Sequence, residues 1–229
     1  MGADFPLKPS NDLEQIRQEI DKRKIDRLIH FTHAENLPSI LKRGLIPRGL
    51  LEAAQEEFCH NDECRMDGRT DCSCLSITYP NYPMFRKCYK YRWSEFVILG
   101  LDINLLFDQS LTPYFCAVNA ASRVVKDVVR RCGWEYLSSI EAFNWMFDDG
   151  INKLLSDASS KYKKKDEALA NETVDIQAEV LIKGVIAPSY ICDIVVGNSK
   201  HENAVKCFLL SRQIKKYPNV IIANGYFFG

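Results

Sequence analysis

Apolar positions recur at helical spacing over residues 11–25, where Leu13, Ile16, Ile20 and Ile25 mark one stripe behind a Ser10 or Asn11 cap. The period then shortens. Residues 27–32 read as a strand with Leu28, His30 and Thr32 on one face and Ile29 and Phe31 on the other. A short helix follows, with Pro38 suited to its first turn and Gly44 to its stop. Residues 57–72 are polar and rich in Cys, Asp and Arg, and read as a loop. Strands are predicted over 74–78, 95–101, 114–118, 176–183, 191–196 and 220–223, and helices over 119–132, 139–148 and 199–213. Residues 79–83, Tyr-Pro-Asn-Tyr-Pro, read as a turn. Strands and helices mix without regular alternation, which predicts an α+β fold.

At roughly 150 residues per domain, 229 residues without a repeat or linker read as one domain, 1–229, with 1–25 as an N-terminal helical extension. Thirty basic residues balance thirty acidic ones for a net charge of 0, which argues against a protein that coats DNA over its whole surface but leaves room for one local basic patch. No apolar run reaches the roughly 18 residues of a membrane span, and the start lacks a basic region followed by an apolar stretch. Pro6 stands where a myristoylation motif wants Ser or Thr. A cytoplasmic location is expected, with the nine cysteines reduced.

Several positions have side chains suited to chemistry. Glu179 is a carboxylate inside an apolar strand pattern, with Gln177 sharing its predicted face; it is either a solvent-facing strand residue or the lining of a cleft. His30 and Thr32 share a strand face, as packing residues or as hydrogen-bonding partners for a polar ligand. Cys59, His60, Cys64, Cys72 and Cys74 supply enough soft donors for zinc, but their spacing matches no common finger or ribbon, and no metal is expected. Arg65 and Arg69 belong either to a solvated turn paired with Asp67 or to a clamp for a diphosphate. Lys161, Tyr162, Lys163, Lys164 and Lys165 form a solvated loop or a surface for single-stranded nucleic acid, with charge for phosphates and a ring for a base. Walker A, GxGxxG, HExxH and GxSxG motifs are absent.

Residues 29–45, Ile-His-Phe-Thr-His-Ala-Glu-Asn-Leu-Pro-Ser-Ile-Leu-Lys-Arg-Gly-Leu, resemble the opening motif of DarT-like ADP-ribosyltransferases, which modify nucleic-acid bases. Arg65-Met66-Asp67-Gly68, residues 76–85, Gln177-Ala178-Glu179-Val180-Leu181 and Asn224-Gly225-Tyr226-Phe227 are similar to later blocks of that family, so the resemblance spans about 27–227. It implies a split β-sheet core with flanking helices and an NAD cleft between the sheets. It also implies that His30, Thr32 and Asn36 bind NAD, that Glu179 is the catalytic glutamate, and that 156–173 is the loop gripping the substrate, with Gln177 beside it. Arg65 is the match for the pyrophosphate arginine, with Arg69 and Arg86 as rivals.

The function so implied is NAD-dependent ADP-ribosylation of a base in single-stranded DNA, by a toxin opposed by a cognate antitoxin. The alternatives are the same transfer onto single-stranded RNA, transfer onto protein, and a nucleic-acid-binding module without catalysis.

Overall fold

A computed structural model describes residues 12–60, 64–89, 95–148 and 169–228. Seven strands form its sheet: β1 (Arg27–His33), β2 (Cys72–Ile77), β3 (Phe96–Asp102), β4 (Thr112–Cys116), β5 (Glu179–Lys183), β6 (Ile191–Val196) and β7 (Asn219–Ile222). Their order across the sheet is β4-β5-β2-β1-β3-β6-β7. All neighbours are antiparallel except β6 and β7. Strands and helices mix as expected for an α+β protein.

The predicted alternation of β1 holds. Leu28 enters the main core with Val97, Leu99 and Leu101, while Ile29 and Phe31 face a second cluster with Phe85, Phe96, Ile98 and Phe227. The main core is covered by α1 (Asp12–Arg23), through Ile16 and Ile20, and by α5 (Arg123–Cys132) and α6 (Ile140–Trp145). Phe85 of α4 (Tyr82–Tyr89) and Phe227 of α8 (Asn224–Phe228) close the other face, packing edge to face at 5.3 Å. α7 (Ser199–Ser211) packs on β6 and β7.

The register shows where the sheet parts. β1 pairs with β3 along seven residues but with β2 only at Leu28–Ile77 and Ile29–Ser76. Beyond that point β1 and β2 diverge, and a cleft of about 290 Å³ opens between them. The expected split sheet is therefore present, joined at its base by two residue pairs.

Two short helices frame the cleft: α2 (Leu37–Arg43) and α3 (Arg48–Ala53). Gly44 ends α2 at φ 93°, and Leu45 exchanges backbone hydrogen bonds with Ile186 at 2.9 and 3.1 Å. A Cβ on Gly44 would meet the Ile186 carbonyl oxygen at 2.2 Å. Gly44→Ala is expected to cost at least about 2 kcal/mol, read from urea unfolding, since both the positive φ and the backbone clash oppose it.

Three sequence expectations are corrected. The strand predicted over 176–183 begins only at Glu179, because Asp175 turns the chain: its carbonyl accepts from Ala178 N–H and its Oδ1 from Gln177 N–H. The strand alternation that put Gln177 on the face of Glu179 therefore does not apply. Residues 79–83 lead directly into α4, which Asn81 caps by accepting from Met84 N–H at 3.2 Å. Cys72 leaves the predicted loop and starts β2, paired with Lys183.

Candidate active site

Glu179 is the first residue of β5, at the end where the β2–β5 ladder stops; the last pair is Leu75–Val180. Its side chain enters the cleft and is held by three donors. Ala120 N–H donates to Oε2 at 2.8 Å, and Asn119 and Asn81 side-chain amides donate to Oε1 at 3.3 and 3.4 Å. Burial pushes its carboxyl up to about 7, aided by the Asp67 charge and opposed by the hydrogen bonds from Ala120 and Asn81 and by Arg65. Such a carboxyl gains and loses its proton near neutral pH, as a general base requires.

His30 lies across the cleft on β1. Its Nδ1 is 2.8 Å from the Cys74 carbonyl, an acceptor only, so Nδ1 carries the proton and donates. This side-chain bond spans β1 and β2 where the backbone ladder between them ends. Burial pushes the imidazole below its usual value, the Cys74 hydrogen bond opposes this, and the Arg65 charge adds to it. The ring is neutral at pH 7 and offers the Nε2 lone pair.

Thr32 is buried and accepts from Asn36 Nδ2 at 3.0 Å. Asn36 also bonds both backbone groups of Cys59, donating to its oxygen at 2.7 Å and accepting from its N–H at 2.9 Å. Asn36 thus ties the 57–60 loop to the end of β1 and shapes the cleft wall.

Of Arg65, Arg69 and Arg86, only Arg65 lines the cleft. Its guanidinium forks onto Asp67 at 3.1 and 2.8 Å and donates to the carbonyls of Cys72, at 3.1 Å, and Arg69. Four of its five hydrogens are so engaged, leaving one on Nη1. Arg69 instead pairs with Asp71 and stacks on Tyr114 and Trp134 at 4.5 and 4.4 Å. Arg86 is exposed on α4.

Gln177 does not line the cleft. Lys161, Tyr162, Lys163 and Lys164 lie outside the described residues. The segment rejoins the described chain at Leu169, and the Asn171 carbonyl accepts from the Thr78 hydroxyl at 2.5 Å, three residues from Asn81. The five soft donors weighed for zinc, Cys59, His60, Cys64, Cys72 and Cys74, do not form one cluster. Cys72 and Cys74 belong to β2, while Cys59 sits beside His33 and Glu35.

Sequence reading missed Asn81 and Asn119 as partners of the site, and it read Asp67 only as the partner of an arginine in a solvated turn, not as a charge acting on Glu179. Asn81 and Asn119 lie 98 and 60 residues from Glu179 in the chain, and their local patterns announce only a helix cap and a turn.

The parted sheet thus sets a neutral histidine and a buried carboxyl group into one cleft. The family model for the ssDNA thymidine ADP-ribosyltransferase DarT matches residues 29–228, and the chain belongs to that family. Thermosipho africanus DarTG in complex with ADP-ribose is similar at a TM-score of 0.58 and 18% identity, over 89% of this chain and 51% of that one. The chain thus spans about half the length of that relative. Thermus sp. 2.9 DarT, in complex with NAD+ and with ADP-ribosylated ssDNA, gives a TM-score of 0.56 at 15% identity in each case. These matches cover 90% of this chain and 98% and 97% of those chains. No curated protein matches the chain. Among the described residues no helix is long and apolar enough to cross a membrane.

Proposed function

We propose that the chain transfers ADP-ribose from NAD to the thymidine base of single-stranded DNA, with Glu179 as catalytic base and His30, Thr32 and Arg65 as the NAD-binding set. The observation that carries this reading is the Glu179 carboxyl, held by three donors opposite a neutral His30. The donor set suits NAD: the His30 Nε2 lone pair and the Thr32 hydroxyl for sugar hydroxyls, the Arg65 guanidinium for a diphosphate, and the Glu179 carboxylate for the reacting ribose. NAD supplies an ADP-ribosyl group whose ribose carbon gains positive charge as nicotinamide leaves.

Glu179, fixed by Ala120, Asn119 and Asn81, would stabilise that charge with its carboxylate. It also accepts the proton that the base nitrogen loses as the new bond forms. Arg65, whose geometry Asp67 and two carbonyls fix, presents its remaining Nη1 hydrogen to the diphosphate and so orients the reacting carbon. Asn36 holds the wall rather than the ligand. The target base has to be free of a duplex stack, which favours single strands. Asn171 joins the end of the 156–173 segment to the turn before Asn81, and this supports a substrate-gripping role for Lys161, Tyr162, Lys163 and Lys164, with Gln177 at its base. By its family resemblance the protein acts in the cytoplasm as a toxin opposed by an antitoxin.

His30→Leu is expected to weaken NAD binding roughly tenfold, because an acceptor and the bond closing β1 onto β2 are both lost; calorimetry showing unchanged affinity would remove His30 from the site. The proposal as a whole is tested by incubating the protein with NAD and matched single-stranded oligonucleotides, thymidine-containing DNA, thymidine-free DNA and RNA, and reading intact masses of nucleic acid and protein. An ADP-ribose adduct on thymidine-containing DNA alone is expected. An adduct only on RNA or on the protein would overturn the substrate assignment.

A further inference from the structure

The loop after α3 carries donors that the transfer reaction leaves unused. Asn36 pins the Cys59 backbone beside the end of β1, and this brings the Cys59 side chain to His33 and Glu35, which are near neighbours in sequence. A ring nitrogen of His33, a carboxylate oxygen of Glu35 and the Cys59 sulfur all lie within 4.8 Å of one another. The Cys59 Sγ is 3.6 Å from Glu35 Oε2. A tetrahedral zinc ion, with bonds of about 2.0–2.3 Å, separates its ligands by about 3.3–3.8 Å. Closing the trio on an ion therefore needs side-chain rotations of about an ångström and no change in the backbone.

His33 is already oriented for this. Its Nε2 lies 3.0 Å from Glu95 Oε2, so that nitrogen donates to a carboxylate, the arrangement that usually fixes metal-binding imidazoles. The lone pair is then on Nδ1, which accepts from the Glu35 N–H at 3.3 Å; metal binding breaks this long hydrogen bond, forms the nitrogen–metal bond in its place and leaves that N–H to water. One thiolate, one imidazole and one carboxylate suit zinc, whereas magnesium and calcium prefer oxygen ligands alone.

We infer that His33, Glu35 and Cys59 bind one zinc-class divalent ion, with Glu95 orienting His33 and the fourth position open to solvent. On binding, the Cys59 thiol gives its proton to water and forms the sulfur–metal bond as a thiolate, with no change in oxidation state. The ion staples the 57–60 loop to the end of β1. Glu35 and Cys59 also line the cleft, so it would stiffen one wall of the site.

The test uses the full chain, stripped by a chelator and titrated with Zn²⁺ against a chromophoric competitor, with bound metal counted by elemental mass spectrometry. One zinc per chain at submicromolar affinity is expected. Cys59→Ser and Glu35→Gln should each weaken binding at least about tenfold, whereas Cys64→Ser, in the same loop, should not. Co²⁺ in place of zinc should give a thiolate-to-metal absorption band with the unaltered chain and with Cys64→Ser, and none with Cys59→Ser. Binding only at millimolar zinc, or a cobalt band that survives Cys59→Ser and vanishes with Cys64→Ser, would overturn the site. The assay uses neither NAD nor nucleic acid, so its outcome is independent of the transfer reaction.

Discussion

Replacing Glu179 by Gln is expected to lower ADP-ribosyl transfer at least about a thousandfold while NAD affinity stays within about threefold. The variant keeps the size of the side chain but removes the charge that opposes the developing cation and the base that takes the proton. A variant that transfers at the wild-type rate would end the mechanism. The wild-type rate itself should rise with pH and level off above about 7, because the carboxylate is the active form and burial pushes its protonation up to about 7. Asn81→Ala should move that inflection upward, since the Asn81 amide favours the charged form. Single-turnover rates between about pH 5.5 and 8.5 measure both, and a flat profile would contradict them.

The same carboxyl ties activity to stability. Its folded value lies above the ordinary 4.5, so the folded protein binds the proton more tightly than the unfolded chain. The stabilisation is complete below about pH 4.5 and is lost as pH rises toward 7. Between pH 4 and 8 the unfolding free energy of Glu179→Gln relative to wild type should therefore shift by about 2–3 kcal/mol in the variant's favour. Reading the shift with pH removes any constant cost of the amide against the Asn81 and Asn119 donors.

Arg65 and Asp67 give the second large effect. Their side chains are 12% and 7% exposed, so removing one partner strands a charge. Arg65→Met is expected to cost about 3–5 kcal/mol of stability and at least about a hundredfold in transfer. The double variant Arg65→Met with Asp67→Asn should recover most of the stability, because the buried charge pair is removed as a unit, yet recover no transfer. Urea unfolding and the oligonucleotide assay separate the two outcomes. Transfer restored in the double variant would reduce Arg65 to a structural role. Asp67→Asn alone should lower the pH inflection of transfer, since the Asp67 charge raises the Glu179 carboxyl.

The alternation of residues 27–32 sufficed to assign Leu28 to one core and Ile29 to another, because a strand's period of two carries over directly into burial. The mixture of elements and the apolar runs likewise pointed to an α+β sheet, and the motifs around His30, Arg65 and Glu179 to the family. What the chain alone left open depended on contacts across its length. Glu179 could not be told from a solvent-facing strand residue, because its burial depends on Ala120, Asn81 and Asn119, whose patterns show only a turn and a cap. Nor could spacing choose among Arg65, Arg69 and Arg86, since loop geometry turns Arg65 into the cleft and stacks Arg69 on Tyr114 and Trp134. The cysteine spacing matched no common metal motif and left the partners of each thiol open; strand pairing drew Cys72 and Cys74 into β2, while Asn36 carried Cys59 to His33 and Glu35. Local periodicity determines which face of an element is buried; which distant side chains meet across a cleft is decided only when the strands pair and part.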